Sequence, residues 1–215
     1  MTLHDERAEA HRFLLASGPP LAALAAEQGP IDPYNWDGIR VAGGDPLGGL
    51  VLHIVSQQLS VAVALQMYAR VEKIVGGAIT AAGLAATTED ALREQGLARA
   101  KGRALVELGQ RIAAGEVDLA AIARLDDAAA GAALLDLRGV GPWSAQVFLM
   151  HELHRPDVFP AGDVGLRAAL AELEGRATSC TVAELEERAV RWRPYRSYAA
   201  GQLWTWRAAQ AGRRG

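Results

Sequence analysis

Residues with high helix propensity run through this chain, and the strict alternation of apolar and polar residues that marks a strand is scarce. Ala, Leu, Glu and Arg dominate the 215 residues. Glycines interrupt the helical pattern at short intervals, as at Gly76, Gly96, Gly115 and Gly175, where they suit helix ends. The sequence therefore predicts an all-α protein with many short helices.

Start and stop signals place ten helices along the chain. Their approximate bounds are Asp5–Ala16, Pro46–Gln57, Val61–Val75, Glu89–Gln95, Ala98–Ala114, Asp127–Asp136, Pro142–Leu153, Val164–Glu174, Val182–Trp192 and Tyr198–Ala209. Thr181 followed by Glu184 fits a capping box, and Thr87 with Asp90 is a weaker version. Ser60 is expected to cap the helix that follows it.

The composition excludes several classes of protein. No segment reaches the roughly 18 uninterrupted apolar residues of a membrane span, and the charged N-terminus lacks the apolar run of a secretory signal. Cys180 is the only cysteine, so the chain can form no internal disulfide and cannot supply four cysteines to an iron–sulfur cluster. We expect a cytoplasmic monomer without a membrane partner.

The charge of the chain is unevenly distributed. A net charge of −3 argues weakly against a nucleic-acid partner, because proteins that bind phosphate are often basic overall. Basic residues nevertheless cluster, at Arg99, Lys101 and Arg103 and again at Arg191, Arg193 and Arg196. Such clusters can bind a phosphate backbone, although a solvated helix face explains the first of them equally well.

The segment LRGVGPWSA, residues 137–145, has the properties of an anion-binding turn. Gly139 and Gly141 permit backbone angles closed to other residues and present no side chain to a ligand. Pro142 suits the first position of a helix, whose free N–H groups can converge on an anion. With the helix before it, the segment makes a helix–hairpin–helix unit. A bare Gly-x-Gly is more often an ordinary tight turn, so the prediction depends on the whole string.

A single carboxylate, Asp163, stands at the start of the helix VGLRAALAEL. Asp is a favoured helix N-cap, and we expect Asp163 to be one. Backbone N–H donors and the helix N-terminus stabilise the ionised form of such a carboxylate. An ionised carboxylate in a cleft can in turn stabilise positive charge that develops on a sugar during glycosidic cleavage.

Five segments together resemble the helix–hairpin–helix DNA glycosylase superfamily, and within it the DNA-3-methyladenine glycosylase II branch. In chain order they read IVSQQLSVAVA (54–64), GLARAKGRALVELGQRIAAGEVDL (96–119), LRGVGPWSA (137–145), DVFPAGDVGLRAAL (157–170) and WRPYRSYAAGQLW (192–204). They cover roughly residues 45–207. The resemblance implies that the hairpin, at Gly139, Val140, Gly141 and Trp143, holds a phosphate of the damaged strand, and that Asp163 is the catalytic residue.

The resemblance also implies a domain organisation. A single domain over residues 1–215 would form two helical lobes, with the active-site cleft between them. Lobe A would comprise about residues 1–58 and 160–215, and lobe B about residues 59–159, including the hairpin at 137–145. The sequence pattern before the matched region predicts helix and loop. We therefore expect a short form without the N-terminal β domain of some relatives.

Further roles follow from the same alignment. Gln58, with Gln57 beside it, falls at the position that wedges into DNA, although two polar residues at a helix end need no such role. Trp143 and Trp204 match aromatic residues of the base pocket, where a core role would be the ordinary interpretation of either tryptophan. Val147 replaces a further pocket aromatic, which suggests a wider pocket and a broad substrate range.

The only metal ion that we expect is a structural monovalent cation. The resemblance implies that the backbone carbonyls of Leu135, Leu137 and Val140 can bind a structural Na⁺ or K⁺ at the hairpin. No cofactor is expected to be required, and no iron–sulfur cluster is expected.

The sequence thus predicts a monofunctional DNA glycosylase that removes alkylated bases from duplex DNA, at the nucleoid of a bacterial-type cell. In members that also nick the backbone, a catalytic lysine stands where this chain has Trp143, so water is the expected nucleophile. Two alternatives remain open: a non-catalytic helix–hairpin–helix DNA-binding protein, which would not need Asp163, and a helical protein–protein adaptor, favoured by the negative net charge.

Overall fold

The computed structural model describes residues 2–35 and 45–214, and every regular element in those ranges is helical. The α-helices are α1 (Leu3–Leu15), α2 (Leu21–Gln28), α3 (Pro46–Ser56), α4 (Val61–Ile74), α5 (Ala81–Ala86), α6 (Glu89–Glu94), α7 (Arg99–Ala113), α8 (Leu119–Ala123), α9 (Asp127–Leu135), α10 (Pro142–His151), α11 (Val164–Leu173), α12 (Val182–Ala189) and α13 (Arg196–Arg214), with a 3₁₀ turn at Val190–Trp192. The predicted all-α class is confirmed. No helix within the described ranges is long and apolar enough to cross a bilayer.

The ten predicted helices are present, and three short ones were not predicted. Helices α2, α5 and α8 have 8, 6 and 5 residues and consist mostly of Ala and Leu. Segments this short contain too few turns for a helical period to stand out from the surrounding sequence. Packing, rather than the intrinsic preference of the segment, stabilises helices of this length.

The contacts divide the chain into two compact units. The middle unit comprises residues 38–153, and the terminal unit combines residues 1–37 with 154–215. The expected lobes had a boundary near residue 58, whereas helix α3 groups with the middle unit. It does so because every residue from Gly48 to Ser56 is buried, and α3 packs against α4, α7 and α10. A helix that is apolar on all sides needs such neighbours.

The three predicted caps at Thr181, Thr87 and Ser60 have different outcomes. Thr181 and Glu184 form the expected capping box. The other predicted box is wrong by one residue, because Thr88, not Thr87, is the N-cap of α6 and accepts a hydrogen bond from Ala91 N. Ser60 occupies the N-cap position of α4, but its side chain makes no capping hydrogen bond.

Two helices pack closely in the middle unit because one glycine lies between them. A Cβ atom at Gly109 of α7 would lie 2.5 Å from Leu84 Cβ in α5. In the terminal unit, α13 packs against α11, α2 and α1 through buried residues that include Tyr198 and Leu203. Helix α7 therefore packs closely on α5 in the middle unit, and α13 contacts three helices of the terminal unit.

The capping box at α12 gives a pH-dependent stability. Hydrogen bonds from Thr181 and Arg176 lower the pKa of Glu184 from its usual 4.5 to about 2. Because the folded-state pKa is depressed, the stabilisation is fully present above pH 4.5 and is lost as the pH falls toward 2. We therefore expect Glu184→Gln to lower the Tm slightly at pH 7. The difference from the unmodified protein should disappear as thermal melts approach pH 2, whereas a difference that is constant with pH would contradict this origin.

Candidate functional site

Helices α9 and α10 are joined by a tight turn that lies against α7. Val140 N donates a hydrogen bond to Leu137 O at 3.1 Å across the turn. Gly139 has φ +80°, and a Cβ atom there would lie 2.6 Å from Ala104 Cβ. Both the backbone angle and the space therefore require glycine at position 139. The predicted hairpin is present and is held closely against the middle unit.

Gly141 has a different role from Gly139. It is the N-cap of α10 with an extended backbone, φ −97° and ψ 177°, so it does not use the glycine-only angles that its residue type permits. A Cβ atom at Gly141 would meet nothing within 4 Å, and no side chain caps α10. The start of α10 is therefore accessible to a ligand, and a helix N-terminus favours an anion.

Three arginines surround the hairpin. Arg99 and Arg103 on α7, together with Arg138 and Gly139, line an open cavity of about 530 Å³. Arg138 pairs with Glu107, and Arg103 lies 4.0 Å from Glu89. Arg99 has no acidic partner among the residues that the structure describes. The positive charge of this surface is therefore only partly neutralised, which suits the binding of phosphate groups.

The two predicted wedge residues have different environments. The Gln57 side chain is directed at the hairpin: its Nε2 atom donates to Gly139 O at 2.7 Å and to Ser144 Oγ at 2.8 Å. Gln58 is exposed and has φ +60°, a left-handed conformation that is uncommon outside glycine. Gln58 is therefore available to a ligand, whereas Gln57 ties the loop to the hairpin.

Lys101 does not belong to the exposed arginine surface. Its Nζ atom donates to Val55 O and to Gln57 O, each at 2.7 Å, and so caps the C-terminal end of α3. Arg99 and Arg103, which lie two residues before and two residues after Lys101 on the same helix, are exposed. The expected basic cluster is thus divided between a structural lysine and two surface arginines.

In the terminal unit, Asp163 is the N-cap of α11, as expected. Its Oδ1 atom accepts a hydrogen bond from Leu166 N at 2.8 Å and another from Trp204 Nε1 at 3.2 Å. The Asp163 side chain is half-buried. Two donors on one oxygen fix the orientation of the carboxylate, so it offers a localised negative charge in a defined direction.

The loop before Asp163 is fastened to the first turn of α13. Arg196 donates two hydrogen bonds to the Asp157 carboxylate, at 2.6 and 3.0 Å. Ser197 Oγ donates to Arg155 O at 2.6 Å and accepts from Val158 N at 3.1 Å. Trp204 lies two helical turns further along α13, so one helix holds both the loop and the carboxylate.

The end of α9 presents backbone oxygens near the hairpin. Leu137 O accepts a single backbone hydrogen bond, from Val140 N, which leaves a lone pair. Arg111 Nη1 donates to the neighbouring Asp136 O at 3.3 Å. Carbonyl oxygens suit hard cations, so the Leu137 oxygen is compatible with the expected Na⁺ or K⁺, whereas the parts of Leu135 and Val140 stay predictions. Within the described ranges, no group of three His, Cys, Asp or Glu could hold a metal ion.

Comparison with known proteins gives the family. The family model described as "HhH-GPD superfamily base excision DNA repair protein" matches residues 51–194. The chain belongs to the HhH-GPD superfamily. The predicted resemblance is thereby confirmed, and the matched range contains the hairpin, the glutamine loop and Asp163.

Several proteins similar to this HhH-GPD chain are named as 3-methyladenine glycosylases. It is 27% identical over 204 residues to the DNA-3-methyladenine glycosylase of Bacillus subtilis, covering 89% of this chain and 65% of the relative. A crystal structure of a DNA-3-methyladenine glycosidase from Bacillus halodurans is 27% identical, with a TM-score of 0.76, and covers 94% of this chain and 91% of that one. A 3-methyladenine DNA glycosylase of Schizosaccharomyces pombe, solved with abasic DNA, shares the fold at 23% identity, with a TM-score of 0.81 over 91% and 95% of the two chains.

The match to the curated relatives is partial in length. The chain spans from 14% to 65% of the length of the curated relatives that it matches. The family model establishes the superfamily. Because the relatives are longer than this chain, its activity and its substrate are proposals.

The remaining predicted residues of the HhH-GPD chain differ in accessibility. Trp143, at the start of α10, and Trp204, on α13, are both half-buried. Val147 is 1% exposed, so its side chain lies inside the packed structure. The role of Val147 in a base pocket stays a prediction.

Sequence reasoning missed three features of the site. The roles of Lys101 as a cap and of Trp204 as a hydrogen-bond donor to Asp163 depend on contacts between residues more than 40 positions apart. No local pattern reveals such contacts. Arg138 could have been found, because it is a basic residue inside the quoted hairpin string.

Proposed function

We propose that this HhH-GPD protein is a monofunctional DNA glycosylase that hydrolyses the N-glycosidic bond of alkylated bases, such as 3-methyladenine and 7-methylguanine, in duplex DNA. The observation that carries the proposal is the Asp163 carboxylate, oriented by the Leu166 amide and the Trp204 indole. The names of the Bacillus relatives support alkylated bases as the substrate class. The reaction would be the first step of base excision repair, and the protein would act at the nucleoid.

The carboxylate suits the chemistry of this bond. As the base departs, positive charge develops on the deoxyribose ring, as in other glycosidic cleavages. A fixed anion beside the sugar stabilises that transition state more than the ground state, in which the positive charge lies on the base, and so lowers the barrier. The bond from C1′ to the base breaks with its electron pair leaving on the base, and water adds to C1′ and releases a proton. An alkylated base loses its positive charge on departure, so no strong general acid is needed.

The nucleophile is water rather than an amine of the protein. Trp143 stands at the position where members that nick the backbone have a lysine, and the Lys101 amine is engaged by two backbone carbonyls. Without an amine at the sugar, no Schiff base forms and the phosphodiester backbone is not cleaved. The products would be a free base and an intact strand with an abasic site.

The hairpin and the arginine-lined cavity would hold the damaged strand. The open N-terminus of α10, with Gly141 and Trp143, offers a site for one phosphate. Arg99, Arg103 and Arg138 provide charge for neighbouring phosphates. A Na⁺ or K⁺ on the carbonyls of Leu135, Leu137 and Val140 would supply further positive charge near the same phosphate.

The damaged base would leave the duplex to reach Asp163. Gln58, exposed on its turn, would fill the gap in the stack. Trp143 and Trp204 would stack on the base, which a cationic alkylated purine favours. The indole N–H of Trp204 donates to Asp163, which would place the ring beside the reacting sugar. Val147 in place of an aromatic residue would leave the pocket less specific.

One assay tests the function against both alternatives. The protein is incubated with duplex DNA treated with a methylating agent, and the soluble products are separated by chromatography. We expect free methylated purines and no strand breaks before alkali treatment. Binding of duplex without release of a base would support the non-catalytic DNA-binding alternative. Absence of binding even at low salt would support the adaptor.

The hydrogen bond from Trp204 to Asp163 gives a separable prediction. Trp204→Phe retains a stacking ring but removes the indole donor, so the carboxylate loses one of the hydrogen bonds that orient it. We expect the single-turnover rate of base release to fall about tenfold, with little change in DNA affinity. Trp206→Phe, the same change on the same helix at a half-buried position, is the matched control. Equal rates for the two variants would contradict an orienting role for the Trp204 indole.

A further inference from the structure

The C-terminal end of helix α3 is completed by a lysine side chain from another helix. The last carbonyl groups of a helix have no partner within it. Here Val55 O and Gln57 O both accept hydrogen bonds from Lys101 Nζ, each at 2.7 Å. A cation at a helix C-terminus also interacts favourably with the helix dipole. Lys101 therefore fixes the point at which the chain leaves α3.

The Lys101 amine has no other partner in the described part of the chain, and it is not on the open surface. The side chain is half-buried, and desolvation lowers the pKa of its amine. A lysine that serves a phosphate keeps its charged end in water, as the exposed Arg99 and Arg103 on either side of it do. The position of Lys101 is thus that of an internal support.

The segment that Lys101 supports is the wedge loop, residues 57–60. Leu59 N donates to Ser56 O at 3.0 Å, which closes a tight turn. Within that turn Gln58 takes the left-handed angle φ +60°, and both Gln58 and Leu59 are exposed. A glutamine adopts such a conformation only where its surroundings impose it, and conformations of this kind concentrate at functional sites.

A second tie connects the wedge loop with the hairpin. Gln57 donates from its side chain to Gly139 O and to the buried Ser144 Oγ, while its own carbonyl accepts from Lys101. One residue of the loop is therefore held by α7 through Lys101 and by the start of α10 through Ser144. The loop that would enter the base stack and the hairpin that would hold the strand form one connected network.

We propose that Lys101 is a positioning residue, which holds the wedge loop in the conformation that opens the duplex by capping the end of α3. The proposal rests on the proposed function, because it gives the wedge loop a DNA partner. Lys101 touches neither the sugar nor the base, and it acts only through the backbone of Val55 and Gln57. Its removal should therefore impair base extrusion rather than the cleavage of the glycosidic bond.

The first test uses a reporter of unstacking that does not depend on cleavage. A duplex carries 2-aminopurine, which fluoresces when it leaves the stack, next to a stable abasic-site analogue. We expect saturating unmodified protein to raise the fluorescence, and Lys101→Met to lose most of that rise while the duplex stays bound. Lys101→Arg, which keeps a cation with several donors, should restore much of it. Lys73→Met changes the only other lysine of the chain, an exposed residue of α4, and is the control.

The second test compares two substrates in single-turnover base release. One holds the alkylated base in a matched duplex, and the other holds it in an unpaired bulge, where little work is needed to extrude it. We expect Lys101→Met to slow release from the matched duplex by about 10- to 100-fold and from the bulge by less than about threefold. In a Gln58→Ala background, Lys101→Met should have little further effect, because both changes remove the same wedge.

The outcomes separate this proposal from the proposed function. Equal losses on the duplex and on the bulge, or losses that multiply with Gln58→Ala, would overturn the positioning role. So would a full fluorescence rise with Lys101→Met, or no rescue by Lys101→Arg when thermal melts show both variants folded. In a further outcome, the unmodified protein releases no base while the fluorescence rises with it, falls with Lys101→Met and returns with Lys101→Arg. That result would support the positioning role of Lys101 and overturn the proposed glycosylase activity.

Discussion

Replacing Asp163 by Asn should reduce the rate of base release by about 100- to 1000-fold, because one fixed charge at the transition state is lost. The substitution changes little else. Asn is as good an N-cap as Asp, so its side-chain oxygen can still accept from Leu166 N and Trp204 Nε1. We therefore expect the Tm and the affinity for undamaged duplex to remain close to those of the unmodified protein. Single-turnover release of methylated bases, thermal melts and a binding titration measure the three quantities.

Asp118→Asn is the matched control for this experiment. Asp118 is also a helix N-cap, accepting from Ala121 N at 3.0 Å, but it belongs to α8 and to none of the segments that carry the proposed site. Its replacement should leave base release unchanged. If Asp163→Asn releases bases as fast as Asp118→Asn, the Asp163 carboxylate has no part in the mechanism.

Two glycine substitutions in the hairpin should separate its contribution to protein stability from its contribution to DNA binding. Gly139→Ala places a Cβ 2.6 Å from Ala104 Cβ at φ +80°. A left-handed alanine costs about 1–2 kcal/mol and overpacking about 1–3 kcal/mol, so we expect a loss of several degrees in Tm together with weaker DNA binding.

Gly141→Ala should behave differently. The added methyl group meets nothing within 4 Å and the backbone is extended, so the Tm should not change. The methyl would instead project toward a phosphate bound at the start of α10, so duplex affinity should fall. Thermal melts and binding titrations of both variants test this. Unchanged affinity with Gly141→Ala would place the bound strand elsewhere.

Much of the fold could be predicted because its signals are local. Helical periodicity, capping residues and glycine ends gave ten helices and an all-α class. The error at Thr88 shows the limit of that approach, since two adjacent threonines are equally good caps and only the course of the chain selects one. The division into units was less predictable, because it depends on which helices pack around the buried α3.

The candidate site divides in the same way between local and distant interactions. Gly139 and the N-cap role of Asp163 follow from short strings, and the structure places both as expected. Lys101 alternates with Arg99 and Arg103 along one helix, which predicts one basic surface for all three residues. Sequence alone could not show that its amine turns toward carbonyls 44 and 46 residues away. Gln57 likewise differs from Gln58 only through its contacts with the hairpin.

The contacts of Trp204 give it two proposed functions that one residue can combine. Its indole N–H donates to the Asp163 carboxylate, and its ring is proposed to stack on the base. Trp204→Phe removes the hydrogen bond to Asp163 but keeps an aromatic ring. The rate of base release should therefore fall while the DNA affinity changes little. The same helix, α13, also fastens the loop before Asp163 through Arg196 and Ser197.

The most direct test of the role of Asp163 compares the affinity of the protein for two duplexes that each carry one abasic-site analogue. One analogue has a cationic pyrrolidine ring in place of the sugar, and the other has a neutral tetrahydrofuran ring. An analogue that resembles the transition state binds more tightly than one that does not. If the Asp163 carboxylate faces the sugar of the extruded nucleotide, the cationic duplex should bind at least about tenfold more tightly, and Asp163→Asn should abolish the difference. Equal affinity for the two duplexes in the unmodified protein would contradict the proposed role of Asp163.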